Sequence, residues 1–213
     1  MRNENTPIAK EGYPFIAVAG FVTVVLAIIS WKLPAVLGLC VTLFCAYFFR
    51  NPERMVPEDV NAVLAPADGK VIYLGPAQDG RLDDEMMKIS IFMSVFNVHI
   101  NRAPISGRVI DTFYQKGKFL DVRDTRATFE NEQSGLLVET TRGLKVMVVQ
   151  VAGLIARRIV CYPVKGDLLV RGNRYGLIRF GSRLDIYLPK STDLRVAMGD
   201  KTVAGETILG YLP

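Results

Sequence analysis

One Gly-Ser dipeptide occurs in the chain, Gly181-Ser182, at the head of the alternating stretch Ser182-Arg183-Leu184-Asp185-Ile186-Tyr187-Leu188. Glycine admits strained turns that other residues resist, and its missing side chain leaves its carbonyl open to the next hydroxyl. Attack of the Ser182 Oγ on the Gly181 carbonyl would turn the amide into an ester. Elimination from that ester would break the chain and leave a dehydroalanine, which hydrolyses to a pyruvoyl group. The chain would then carry a ketone cofactor made from itself. The bland reading of the same pair is a chain reversal, because glycine and serine are ordinary turn residues.

His99 is the only imidazole. It lies in Phe96-Asn97-Val98-His99-Ile100-Asn101-Arg102-Ala103-Pro104-Ile105, where Pro104 and Ser106-Gly107 mark a loop leaving a strand at 89–93. A lone histidine is most often a surface or hydrogen-bonded packing residue. Its chemistry also suits a general base, since it titrates near neutrality and can take the proton that an otherwise unreactive serine must lose. Asp68, in Pro66-Ala67-Asp68-Gly69, reads as the acid of a tight turn. Arg102 is either an exposed loop charge or a fork for a phosphate or carboxylate, to which guanidinium gives two parallel hydrogen bonds. A single histidine excludes a histidine-rich metal site, and Cys40, Cys45 and Cys161 have neither a disulfide framework nor zinc-ligand spacing. A mechanism without metal is expected.

These residues need a scaffold, and the 213-residue chain has room for one membrane segment and one compact domain. Residues 15–31 and 33–49 carry no charge, and each run is at the lower limit for crossing a hydrocarbon core. Lys32-Leu33-Pro34 between them reads as a polar, helix-breaking turn, so residues 1–50 are expected to form a membrane-associated helical hairpin. A cleaved signal peptide is the competing reading; the second apolar run and the closing Arg50 and Arg54 speak for a retained hairpin. Arg2 and Lys10 before it and Arg50 and Arg54 after it, against Lys32 alone on the far side, put both ends in the cytoplasm. Whether the hairpin spans the bilayer or dips into it stays open. The net charge of +5 has no interleaved basic and aromatic residues of the kind a nucleic-acid surface carries, and attraction to anionic lipid is its more economical use.

From 51 to about 63 the chain reads as a polar linker. Beyond it, short apolar, β-branched stretches at 71–73, 87–93, 108–114, 136–140, 144–151, 155–162, 167–170 and 184–188 alternate with glycine and proline. Residues 118–132 leave room for a short helix or an ordered loop. The spacing predicts a mainly β domain over 51–213, a sandwich or barrel. Ala65-Pro66-Ala67-Asp68-Gly69-Lys70-Val71 and the stretch from Met198 to Gly210 also resemble the two edges of biotinyl and lipoyl carrier domains. That likeness relates the domain to the barrel-sandwich hybrids; Lys201 stands in the structural stretch of that pattern and no tip lysine is found.

Ala65-Pro66-Ala67-Asp68-Gly69-Lys70-Val71, Phe96-Asn97-Val98-His99-Ile100-Asn101-Arg102-Ala103-Pro104 and Phe180-Gly181-Ser182-Arg183 together resemble the short form of the phosphatidylserine decarboxylase proenzymes. The resemblance runs from about residue 50 to the C-terminus, with a membrane segment in front as that family has. It implies a pyruvoyl-dependent carboxy-lyase that cleaves itself at Gly181-Ser182 into a large subunit, 1–181, and a small subunit, 182–213, which stay together as a heterodimer. The pyruvoyl group from Ser182 would form a Schiff base with phosphatidylserine in the membrane and act as an electron sink while CO2 leaves, giving phosphatidylethanolamine. The resemblance further implies Ser182, His99 and Asp68 as catalytic residues, with Asp68 orienting the histidine. Longer members carry His-x-x-His, whereas Arg102 stands in the second place here, leaving His99 to serve self-cleavage, decarboxylation or both. Asn131-Glu132 resembles a further family signature without revealing a role. Two other readings stand beside this one: decarboxylation of another serine-headed lipid such as archaetidylserine, and a non-enzymatic membrane-tethered domain of the lipoyl type. No nucleic-acid partner is expected, and a higher homo-oligomer is left open.

Overall fold

The computed structural model describes residues 6–82, 84–124, 126–153, 158–179 and 181–213. It divides into two compact units, one covering Glu4–Glu53 and the other containing Arg54–Pro213.

The first unit is an apolar helical hairpin. Helix α1 (Tyr13–Ile28) is followed by α2 (Lys32–Phe48), and only Phe48 among their residues is buried. With the 3-10 turn before it, the first helix runs over Lys10–Ile28, long and apolar enough to cross a membrane, in keeping with membrane association. The reversal falls at Ile29-Ser30-Trp31, where Ser30 has a φ of 62°. Lys32, Leu33 and Pro34 therefore open the second helix instead of breaking the chain. A proline in the first helical turn lacks only an N–H that would have no helical partner there. The two ends of the hairpin are tied: Ala9 N–H donates to Phe49 O (2.8 Å) and Asn51 N–H to Pro7 O (2.7 Å).

The second unit is mainly β. In chain order its strands are β1 (Ala62–Leu64), β2 (Gly69–Ala77), β3 (Met86–Met93), β4 (Ile100–Arg102), β5 (Gly107–Gln115), β6 (Gln133–Glu139), β7 (Lys145–Ala152), β8 (Ile159–Cys161), β9 (Leu168–Leu169), β10 (Arg174–Ile178), β11 (Ser182–Leu188), β12 (Asp193–Leu194), β13 (Lys201–Thr202) and β14 (Ile208–Tyr211). Eight of them form one curled sheet, a half-barrel, in the order β13-β2-β3-β11-β7-β6-β5-β9; β4-β10-β8 and β1-β14-β12 form two smaller sheets. The only helix among the described residues of 118–132 is the single turn α3 (Ala127–Glu130). The segment read as a loop around His99 contains a strand, β4, and the segment read as a linker ends in β1. Both are three-residue strands, too short to carry a period in the sequence. Of the stretch expected as a strand at 155–162, residues 155–157 lie outside the described residues, and β8 occupies 159–161 of the rest.

Alternation decides the two faces of the large sheet. Ile89, Ile91 and Met93 of β3, Leu184 and Ile186 of β11, and Val146 and Val148 of β7 point into the main core, all nearly or fully buried. Each such side chain contributes ~2 kcal/mol by leaving water. The opposite face carries a smaller cluster that includes Val149, Val151, Tyr187 and Val122. It also holds a buried charge set. The Asp185 carboxylate is 3.0 Å from Lys88 Nζ and accepts from Arg183 Nη2 (3.0 Å), while Arg183 Nε, 2.9 Å away, is within ion-pair distance but off hydrogen-bond alignment. Arg183 also donates to Val122 O (2.7 Å) and Thr128 Oγ1 (2.8 Å). β11 is the central strand, all seven of its residues are buried, and Ser182 is its first residue.

Candidate active site

Ser182 sits opposite Met93 of β3 on one side and Ala152 of β7 on the other, so the sheet grips it from both edges. It is fully buried, and its Oγ lies 3.4 Å from the Met93 Sδ. A thioether is a weak acceptor, which leaves the hydroxyl easy to turn toward another group. Gly181 precedes it with a φ of 64°, in the left-handed region that favours glycine. Between β10 and β11 the chain passes from a small sheet into the large one, and Gly181 takes up the final bend; Phe180 of the same motif lies outside the described residues.

Between the end of β3 and the start of β4 the chain makes a tight turn, with Asn97 N–H donating to Ser94 O (2.9 Å) and Asn97 Oδ1 accepting from the N–H and Oγ of Ser94 (2.9 and 2.8 Å). The turn presents the Asn97 carbonyl to His99 Nδ1 at 3.0 Å. A carbonyl only accepts, so Nδ1 carries the proton and Nε2 the lone pair. That lone pair accepts from the Gly181 N–H (3.4 Å), the amide one peptide before the Gly181-Ser182 bond. His99 is buried, so the imidazole meets the Gly181-Ser182 unit out of bulk water.

Asp68 immediately precedes β2. Continuing the register Lys70↔Phe92, position 68 falls opposite position 94, at the same end of the sheet as Ser182. Its carboxylate takes both bonds from Arg54 Nη2 (3.0 and 2.9 Å), and Oδ1 also accepts from Ala204 N–H (2.8 Å). Arg54, read from the sequence as a charge flanking the hairpin, thus serves the β unit. Arg102 donates to Gly172 O (3.0 Å); burial and then the charge of Arg54 press its pKa down.

Several neighbours carry no sequence signal of their own. Asn101 and Gln150, both fully buried, are joined by a 2.8 Å bond from Gln150 Nε2, and Asn101 Nδ2 lies 3.8 Å from the same Met93 Sδ that faces Ser182. Asn131, noted only for its motif, has a clear part: its Nδ2 donates to Ala152 O (2.8 Å) and Leu120 O (2.9 Å), and its Oδ1 accepts from Leu120 N–H (2.9 Å). It pins the segment around 120 to the residue paired with Ser182. A cavity of about 290 Å³ opens beside Gly181, walled in part by Phe92, Met93, Val122 and Gly153. The exposed pair Asp121 and Arg123 lines it too, and the Arg123 guanidinium holds the Asp121 carboxyl down at about 2.

The structure thus brings Ser182, the left-handed Gly181 and the His99 imidazole to one end of the large sheet. The family model described as Phosphatidylserine decarboxylase matches residues 41–210. The chain belongs to the phosphatidylserine decarboxylase family. Its relatives include proteins named phosphatidylserine decarboxylase proenzyme from Geotalea uraniireducens (74% identical over 213 residues) and Geobacter sulfurreducens (72% over 218), each comparison covering the whole of both chains. A third, from Geobacter metallireducens, is 71% identical over 218 residues, again across both full lengths. Membership of this family makes the chain a decarboxylase of the lyase class, formed as a zymogen, and ties it to phospholipid biosynthesis.

Proposed function

We propose that this chain cleaves itself between Gly181 and Ser182 and, so processed, decarboxylates phosphatidylserine to phosphatidylethanolamine. The observation that carries the reading is that His99 Nε2 accepts from the N–H of Gly181 (3.4 Å), a left-handed glycine directly before a buried serine. Ser182 Oγ and the Gly181 carbonyl carbon close a five-membered ring. As the C–O bond forms, His99 Nε2 exchanges the Gly181 N–H for the Ser182 hydroxyl proton, takes that proton and returns it to the departing Ser182 nitrogen, so that an ester replaces the amide. Loss of the Cα proton of residue 182 then breaks the Cβ–Oγ bond, with Gly181 leaving as a carboxylate. The dehydroalanine left behind tautomerises to an imine, and one water hydrolyses it with release of ammonia.

The residues around Ser182 fit the pyruvoyl group that results: a buried Oγ bounded by a soft thioether, an imidazole with its lone pair toward the scissile unit and an adjoining cavity. When present, that group supplies an electron-accepting carbonyl for the substrate amine, which lets the α-carboxylate depart as CO2. His99 remains where it can hold and return protons at residue 182. The 290 Å³ cavity is of a size for a small polar head group, and Arg123 there has a fork that would suit a lipid phosphate once exchanged from the Asp121 carboxylate it now holds. Asp68 acts in this reading as a positioning carboxylate, tying the start of β2 to Arg54 and the Ala204 amide at the end of the sheet that carries Ser182. The products of cleavage would be 1–181 and 182–213, held as a heterodimer by the pairing of β11 with β3 and β7. Lys10 and Arg50 at the hairpin's two ends, against Lys32 at its reversal, favour a catalytic unit on the cytoplasmic face of the cell membrane.

An intact-mass spectrum of the purified protein tests this. Two fragments meeting at 181/182, the smaller beginning with a ketone, are expected, and Ser182→Ala should remain whole and inactive. Borohydride added with phosphatidylserine should trap substrate on the 182–213 fragment. An active preparation made wholly of uncut chain would overturn the reading.

A further inference from the structure

Two glycines face each other at the end of the large sheet, and they are glycines for different reasons. At Gly181 the φ of 64° demands glycine, while a Cβ built there would meet nothing within 4 Å. Gly153, immediately after β7, is outside the left-handed region, so its backbone would accept alanine. Its constraint is space: a Cβ on Gly153 would lie 2.3 Å from the Gly181 carbonyl oxygen and 3.2 Å from the carbonyl carbon, with Val122 Cγ1 next at 3.1 Å. The register Ser182↔Ala152 brings these positions together. The volume that any side chain at 153 would fill is occupied by the scissile carbonyl itself.

We propose that Gly153 is a positioning residue for self-cleavage, its missing side chain being the space that holds the Gly181 carbonyl at the angle Ser182 Oγ must approach. The inference rests on the self-cleavage reading above. As the hydroxyl adds, the carbonyl carbon becomes tetrahedral and its oxygen swings out of the peptide plane. A methyl group at 153 would push the planar carbonyl aside and bar that swing. Asn131, bonded to Ala152 O, holds the residue before Gly153 against the segment that contributes Val122, so the wall of this space is built and not merely open. Displacement of a reacting atom by about 1 Å costs on the order of 100-fold in rate.

The test follows cleavage of full-length chain made by cell-free synthesis in the presence of phospholipid vesicles, by gel against time. Gly153→Ala should be cleaved ~100-fold or more slowly than wild type. It should also yield no fragment with hydroxylamine, because the block precedes the ester. Gly153→Ala/Val122→Ala separates the two contacts: relief of Val122 leaves the carbonyl clash in place, so the double variant should stay uncut. Cleavage of Gly153→Ala at the wild-type rate overturns the inference, as does rescue by Val122→Ala, which would make Val122 the obstacle. Loss of a cooperative thermal transition in Gly153→Ala would assign the residue to folding and overturn it as well. Failure of the wild-type chain to cleave would strike instead at the self-cleavage reading.

Discussion

His99 Nε2 lies 3.4 Å from the backbone nitrogen of Gly181, although the two residues are 82 apart in sequence. The imidazole proton sits on Nδ1, bonded to the Asn97 carbonyl, so Nε2 is the accepting nitrogen and takes the Gly181 N–H, one peptide before the scissile bond. His99→Ala should therefore slow self-cleavage by ~10²–10⁴-fold, the usual worth of a placed general base. Uncut chain accumulating on a gel time course would register this; a wild-type rate would remove His99 from the mechanism.

Asp68 and Arg54 are joined by two bonds of 3.0 and 2.9 Å. If the pair acts by holding the start of β2, Asp68→Asn and Arg54→Gln should slow cleavage by comparable factors. A large loss in Asp68→Asn beside a normal rate in Arg54→Gln would make Asp68 a direct partner of the imidazole.

Arg123 lines the cavity beside Gly181, paired with Asp121 and lying over the Phe92 ring of the same cavity. Arg123→Ala should cut normally, and the processed enzyme should show KM for phosphatidylserine in mixed micelles raised ~10-fold, the loss of one charge-assisted contact. An unchanged KM would place the lipid phosphate elsewhere.

Burial pushes the Cys161 thiol up from 9.0 to about 11, partly offset by a hydrogen bond with Ser134, and burial holds the Tyr175 phenol well above its usual value. Both groups fold neutral. Their contribution to stability is complete below the ordinary pKa of each and is lost as pH rises through the folded value, so for Cys161 it fades between pH 9.0 and about 11. Chemical denaturation across that range should show stability falling, and Cys161→Ala should flatten the fall. Tyr175→Phe should be neutral or stabilising at pH 7, because the buried hydroxyl has no hydrogen-bond partner among the described residues.

What the sequence by itself determined is the chemistry that neighbours along the chain can perform. Gly181 and Ser182 are covalently adjacent, so their ring-closing geometry is written in their order; His99 had no competitor as an imidazole; and two uncharged runs beside each other make a hairpin wherever the chain lies. Longer strands such as β3, β7 and β11 were legible too, because an apolar, β-branched run between glycine and proline shows over seven or eight residues and not over three.

What only the tertiary structure decided is which distant groups meet. The partner that aims His99 is a backbone carbonyl, which every residue has and no sequence pattern marks. Arg54 reads as a membrane flank until β2 brings Asp68 to it. Gly153 is one of 18 glycines in the chain and gains its meaning only from the register that sets it against the Gly181 carbonyl. Register in an antiparallel sheet is chosen by the packing of whole faces, Ile89, Ile91 and Met93 against Leu184, Ile186 and their neighbours. A one-residue slip would turn every one of those side chains to the other face and part His99 from its target. The site is therefore a consequence of the core, which no local stretch of sequence contains.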